Sequence, residues 1–318
     1  MRFKPIASAG GITLRHPYEG YVSFTSSPYT AHLAWAAVDL STSTEFGDEA
    51  LSPVEGTVDK VVEVNSGVGV YGKIDYMISI RPRGCSKLRV KIMHVRPAVK
   101  PGEEVVEGSL IGRFIRTNYF SYHHLPHMHV EVCRDSSLRP TRALPLTPLI
   151  QVGALRALRE VKVRVEEVEE GYALCRVEGV EVGVVGTVNR NAALLNGQVG
   201  VRAEYLGLLG LKEATPGEKV KLAGETVAYI KLRRAGGWLA LPSRTSFKAW
   251  YARVQRAYMS RGEAPEPRLR VNSPATDKIR GLELLLSERH QVKLIPYLGS
   301  SLHELRGATF TLSVKLLS

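Results

Sequence analysis

The chain has 318 residues, 44% apolar and 23% charged, an ordinary globular composition spread over more sequence than one hydrophobic core serves, so two domains of about 100–200 residues are expected. No stretch, including the weakly charged residues 20–44, approaches the ~18 consecutive apolar residues of a membrane-spanning helix. The net charge of +12 is uneven: residues 1–150 hold 17 Lys and Arg against 14 Asp and Glu, and the remainder 26 against 17.

The opening "MRFKPIASAGGITLRHPYEG" lacks the apolar core of ~7–15 residues that a secretory signal needs, which leads us to expect a cytoplasmic protein. Residues 1–135 are rich in β-branched residues, aromatics and glycine in short alternating runs, without a convincing amphipathic helix. Strands are predicted in "SPVEGTVDKVVEV" (52–64), "YMISIRPRG" (76–84) and "LRVKIMHV" (88–95), and "VKPGEEVVEGSLIGRF" (99–114) turns tightly at Gly102 and Gly108. Such strands build a compact antiparallel sandwich or barrel.

Pro140, Pro145 and Pro148 fix φ and remove backbone donors, marking a stiff connector. The division expected is a β domain over 1–138, a connector over 139–155 and a second domain over 156–318. In the latter, "VKVRVEEVEEGYALCRV" (161–177) reads as a hairpin turning at Glu170-Gly171 and "VEVGVVGTV" (180–188) as a strand. "TPGEKVKLAGETVAYI" (215–230) echoes "KPGEEVVEGSLIGRFI" (100–115), as a second small barrel core would, although shared turn chemistry explains the echo equally well. A helix is predicted over 246–262, with Phe247, Trp250, Tyr251, Val254 and Tyr258 at helical spacing, Ser246 as cap, Gly262 as stop, and Lys248, Arg253, Arg256 and Arg261 over much of the rest. Its aromatic stripe reads as core packing, with contact to a membrane or a nucleic acid as the other use of such a helix. A helix near 274–289, a strand "QVKLI" (291–295) and a strand "ATFTLSVKLL" (308–317) complete a mixed β/α domain, so the chain as a whole is expected to be mainly β.

The basic second half could attract a nucleic acid or an acidic partner, but its charges are scattered, as on a solvated surface. Cys85, Cys133 and Cys175 are odd in number and form no CxxC pair; they read as small buried hydrophobes rather than a disulfide framework or a cysteine zinc site. Only ten residues are Asn or Gln, which fits a heat-adapted source.

The chemistry concentrates in "HHLPHMHVEV" (123–132). Strand alternation puts His127, His129 and Glu131 on one face, looking outward, and Met128, Val130 and Val132 on the core face. Two imidazoles at i and i+2 can share a metal or its bound water. Asp39, in "AAVDLS", offers a carboxylate on the face opposite Val38 and Leu40. His94, ending "KIMH", falls in phase with Leu88, Val90 and Ile92. His123 and His124 read as solvated loop residues, and His16, His290 and His303 have no partner spacing.

The order "VDLS … SPVEGTV … MHVRPAVKPGEEVVEGSLIGRF … HMHVEV", over about residues 30–135, resembles the lysostaphin-type zinc endopeptidases, cell-wall metallopeptidases with a compact antiparallel β fold and a site in a groove. The resemblance implies that Asp39 and His129 bind zinc, and that His94 and His127 activate a zinc-bound water and stabilise the tetrahedral intermediate as it attacks a peptide or peptidoglycan-like substrate. The family's first ligand is a histidine four residues before the aspartate. Here that position is Trp35, and the remaining ligand expected is His32, seven residues before Asp39, with "LAW" bulging out so that it reaches. Departure at Trp35 also fits a non-enzymatic binding or scaffold protein on the same fold. A lipoyl- or biotinyl-carrier reading of "SPVEGTV" and "VKPGEEVVEGSLIG" lacks a lysine at a hairpin tip, since Lys73 and Lys87 stand in no such motif.

Overall fold

The computed structural model describes residues 2–135, 142–151, 153–201, 204–259 and 269–316. Pro140, Arg261 and Gly262, singled out in the sequence, lie outside the described residues. Two units emerge: residues 1–22 with 30–150, and residues 23–29 with 151–318.

The first unit contains β1 (Lys4–Ala9), β2 (Ile12–His16), β3 (Tyr21–Ser23), α1 (Thr30–Leu33), β4 (Ala37–Ser41), β5 (Glu49–Leu51), β6 (Gly56–Asn65), β7 (Ile74–Pro82), β8 (Arg89–Met93), β9 (Val95–Pro97), β10 (Glu104–Val105), β11 (Leu110–Phe114), β12 (Met128–Cys133) and β13 (Thr147–Pro148). Its main sheet runs β10-β6-β7-β8-β12-β4-β3, beside small sheets β5-β11-β9 and β13-β1-β2. Thr147–Pro148 pair with β1, and Leu146 beside them is fully buried.

Alternation in the central strands separates two faces. Val38, Leu40, Ile78, Ile80, Val90, Ile92, Val130 and Val132 are fully buried, and cross-strand pairs such as Val130 with Val38 and Ile92 put them on one face. Each contributes about 1.5–3 kcal/mol of burial. The opposite face carries two rows in register: Asp39, His129, Met93 and Met77 in one, Glu131, Lys91 and Ser79 in the next. The chemistry-bearing residues therefore occupy one contiguous surface of a rigid sheet.

The second unit contains β14 (Val161–Glu169), β15 (Tyr172–Val177), β16 (Val185–Val188), β17 (Asn191–Val199), β18 (Tyr205–Leu209), β19 (Lys219–Leu222), β20 (Glu225–Arg234), β21 (Gly237–Leu241), α2 (Phe247–Met259), β22 (Leu269–Asn272), β23 (Ile279–Leu284), β24 (Val292–Pro296) and β25 (Thr309–Leu316). Strands β16-β19-β20-β21-β18-β17 close into a six-stranded barrel through the β16–β17 pairing, and β23-β24-β15-β14-β25-β22 continue outward from β17. The "TPGEKVKLAGETVAYI" segment thus supplies two barrel strands.

The helix expected near 274–289 is instead a turn followed by strand β23. Leu282 and Leu284 are buried, and β23 pairs with β17 on one side and β24 on the other. In "LELLL" (282–286) even Glu283 is buried, ion-paired with Lys293 of β24, so the strand is covered on both faces and shows no polar face by which periodicity could tell it from a buried helix. Gly281 belongs to the strand as well: a side chain there would meet the Val199 carbonyl at 2.3 Å. The chain is thus mainly β, as expected, and the helical share of the second domain is small, with α2 its one α-helix among the described residues. In α2, Trp250 and Val254 are buried, and Trp250 packs edge-on to Tyr205 with ring centres 5.8 Å apart.

Candidate metal centre

Three side chains converge in the first unit. Asp39 Oδ1 lies 3.3 Å from His32 Nε2 and 3.0 Å from His129 Nδ1. Ligand atoms around a tetrahedral zinc, with bonds of 2.0–2.2 Å, stand about 3.3–3.5 Å apart, so these spacings fit one small cation. The three residues together could hold a metal ion, their candidate ligand atoms all within 4.8 Å of one another. Asp39 and His129 are cross-strand partners on β4 and β12, which fixes two of the three by sheet register alone.

His32 arrives by another route. It sits in the single helical turn α1, which ends in a Schellman arrangement: the Ala36 N–H donates to the Ala31 carbonyl at 2.7 Å and the Trp35 N–H to the His32 carbonyl at 2.9 Å. Trp35 takes the left-handed position of that cap, at φ 54°, where glycine is usual. This winding shortens the path between His32 and Asp39. Trp35, fully buried, closes the turn and is not a ligand.

His127 and His94 complete the cluster. His127 precedes β12, and its Nε2 lies 3.5 Å from Asp39 Oδ2. Its Nδ1 is 2.7 Å from the Leu125 carbonyl; a carbonyl only accepts, so Nδ1 carries the hydrogen and Nε2 keeps its lone pair in the neutral ring. His94 follows the last residue of β8. Alternation would send it into the core, but φ 70° at His94 turns its side chain to the other face, with ring centres 5.5 Å from His127 and 6.1 Å from His129. His94 Nδ1–H donates to Asp75 Oδ2 at 2.6 Å, leaving Nε2 available. Phe120 packs on both rings, at 5.0 Å from His94 and 4.7 Å from His127.

The face is not open as expected from alternation. His32, Asp39 and His129 are 1%, 6% and 6% exposed at the side chain, whereas His94 and His127 keep 11% and 15%. The candidate metal triplet is the sheltered part, and the other two histidines are the more exposed. His123 is buried rather than solvated, and His124 is half-buried with its ring 6.0 Å from His127. His16 is buried, its Nε2–H donating to the Ser41 carbonyl at 2.9 Å. His290 pairs with Glu166 at 3.1 Å. Cys133 and Cys175 are buried, while Cys85 is partly exposed.

Electrostatics follow the geometry. Burial alone would raise the Asp39 carboxyl, but the charges of His32 and His127 and the hydrogen bond from His129 hold it well below the usual carboxylate range. His129 is pulled down by burial and more than restored by Asp39 and Glu131, ending at about 9. Burial dominates at His127 and lowers it to about 4.

Composition and spacing did not assign roles to the supporting shell. Glu131 Oε1 is 2.9 Å from His129 Nε2 and 2.8 Å from Lys91 Nζ. With a metal on Nδ1, His129 Nε2–H donates to this carboxylate, which orients the ring and raises its basicity. Burial would raise Glu131, yet His129 and Lys91 bring it down to about 2. Asp75 is fully buried and also accepts the Thr117 hydroxyl at 2.8 Å. Glu131 was visible on the histidine face of its strand. Asp75 shares the phase of Met77 and Ser79, but nothing local shows that it reaches a residue nineteen positions on.

Residues 13–150 match a family described as "Domain of unknown function (DUF8155) N-terminal domain". No curated protein matches the chain in sequence. Among solved structures, the solution structure of lysostaphin is similar over 70% of this chain and 87% of that one, at 17% identity and a TM-score of 0.30.

Proposed function

We propose that the first unit is a zinc-dependent peptidase or amidase, with His32, Asp39 and His129 as metal ligands and His94 and His127 as the residues that manage protons and charge. The observation that supports it best is the convergence of His32 Nε2 and His129 Nδ1 on one oxygen of Asp39, with two further, more exposed imidazoles beside them. Two imidazoles and a carboxylate are a donor set that suits zinc, and the ordered sequence motifs point to the same chemistry. Zinc held by three protein ligands keeps one position open, lowers the pKa of a water there to about 7 and polarises a scissile carbonyl.

The chain's own residues divide the remaining work. His127 Nε2, its lone pair kept free by the Nδ1–H bond to Leu125, takes the proton from the attacking water and returns it to the leaving amine. His94, anchored through Nδ1 to Asp75, donates from Nε2 to the oxyanion when the ring carries its second proton. The substrate is a peptide or a peptidoglycan-like amide. The test is zinc content per chain for protein purified without chelator, as wild type, His32→Ala and His129→Ala, together with cleavage of a mixed quenched-peptide library. Near-stoichiometric zinc that is lost in both variants, with cleavage lost alongside, supports the reading. Wild-type protein that takes up no zinc from excess metal sinks it.

A further inference from the structure

Residues 226–259 contain seven Lys or Arg and no Asp or Glu, whereas the rest of residues 151–318 holds 19 basic against 17 acidic side chains. Seven of the second half's net nine positive charges thus fall on β20 from Thr226 on, the 242–246 turn and α2. The basic groups there sit against rings. Lys231 Nζ and the Arg244 guanidinium lie 6.0 and 5.3 Å from the centre of Tyr229, and Arg234 lies 5.8 Å from Phe247. Phe247 in turn lies parallel to Tyr251, centres 6.1 Å apart and planes 11° apart. Arg233 and Lys248 are exposed, and Tyr229, Phe247 and Tyr251 are each partly open to solvent.

We propose that the barrel of the second unit binds single-stranded nucleic acid on this basic, aromatic surface of β20, the 242–246 turn and α2. Lysines and arginines alone attract any polyanion. Cations repeatedly set beside partly open rings suit a chain that offers a phosphate and a base at each step, because the ring takes the base face while the cation meets the phosphate. An anionic membrane fits less well. An interfacial element inserts apolar side chains into lipid, and none of the exposed large hydrophobic side chains among the described residues falls within 226–254. The inference is independent of the metal centre in the other unit.

The experiment uses the full chain and fluorescein-labelled dT20 and rU20, with anisotropy read from about 50 to 200 mM NaCl. Binding that weakens with salt is expected. Arg233→Gln/Arg244→Gln/Lys248→Gln, all exposed positions, should raise Kd at least tenfold at low salt and flatten the log–log salt slope by about 2, since each lost phosphate contact removes about 0.7. Tyr229→Leu/Phe247→Leu should weaken binding about tenfold with the slope kept, because stacking carries no counterion release. Thermal melts confirm that each variant is folded at the assay temperature. Arg81→Gln/Arg83→Gln/Lys100→Gln, of equal charge change in the first unit and exposed, should bind as wild type. Absence of binding at about 10 μM protein and low salt, equal losses in the first-unit variant, tighter binding of a 20-base-pair duplex, or capture by phosphatidylserine vesicles without oligonucleotide binding would each overturn the proposal.

Discussion

Asp75 holds His94 at two points: one carboxylate oxygen accepts the His94 backbone N–H at 3.0 Å, and the other accepts the ring Nδ1–H at 2.6 Å. One side chain therefore fixes both the left-handed backbone at His94 and the orientation of its ring. Asp75→Asn keeps the shape but offers a single acceptor oxygen and an N–H₂ that cannot accept from the ring. Zinc content should stay at the wild-type level, since no ligand is touched, while kcat/KM falls about 10–100-fold, as expected for a lost partner behind a functional imidazole. Parallel zinc analysis and peptide cleavage check this. Loss of zinc with activity in proportion would show Asp75 to be part of the metal-binding scaffold instead.

Glu131 makes a different prediction because it serves the proposed ligand His129 and a buried lysine at once. Glu131→Gln weakens the partner of His129 and leaves Lys91, 3% exposed, without its counter-charge, which costs about 3–5 kcal/mol for a buried pair broken on one side. Glu131→Gln/Lys91→Met removes the stranded charge and should recover most of the lost melting temperature. It should not recover zinc affinity, expected to stay about 10–100-fold below wild type because the carboxylate behind His129 is still missing. Calorimetric melts and competition with a zinc chelator separate the two effects, and affinity returning together with stability would refute the orienting role.

How much of this was legible depended on whether a position obeyed a local period. Asp39, His129 and Glu131 share a sheet face because side chains alternate, and that could be read directly. His94 could not be placed that way, since its phase pointed to the core and a left-handed residue without glycine breaks the alternation unannounced. The path of His32 was equally hidden: a Schellman turn is normally signalled by glycine, and here tryptophan occupies its left-handed position. The run "LELLL" misled for the opposite reason: Glu283 is buried beside Lys293, so no exposed polar face marks a period, a condition common to buried strands and buried helices. The basic residues of the second half looked scattered along the chain, and only the contacts of Arg244 with Tyr229 and of Arg234 with Phe247, which bring the 242–246 turn and α2 to β20, gather them.

Trp35 joins two opposing costs that substitutions can separate. A left-handed φ costs a non-glycine residue about 1 kcal/mol, which glycine avoids, while removing a fully buried tryptophan costs about 3–5 kcal/mol. Both Trp35→Gly and Trp35→Ala should therefore be destabilised, with Trp35→Gly the more stable by up to about 1 kcal/mol, even though glycine is ordinarily the worse residue for unfolded-chain entropy. Zinc affinity should fall in both, because the turn that carries His32 has lost its packing. Urea melts of the two variants side by side provide the comparison. Trp35→Ala proving the more stable would mean that the left-handed turn at this position is not what the tryptophan maintains.

His16 offers a test of acid sensitivity outside the candidate metal triplet. Burial lowers its pKa to about 4, against partial opposition from its hydrogen bond to the Ser41 carbonyl, while in the unfolded chain it titrates near 6.5. Between these values the unfolded state binds a proton that the folded state refuses. The contribution is thus fully present above pH 6.5 and is lost as pH falls toward 4, reaching about 2–3 kcal/mol near pH 4.5. His16→Gln can still donate to the Ser41 carbonyl and has no proton to gain, so its stability should fall less steeply over that window. Chemical melts of both proteins with excess chelator at pH 7.5, 6, 5 and 4.5 remove metal loss from the comparison, and the other histidines, common to both, cancel in the difference. The gap between wild type and variant should shift in the variant's favour by about that amount as the pH drops; a gap independent of pH would mean that His16 is protonated as readily in the folded protein as in the unfolded chain.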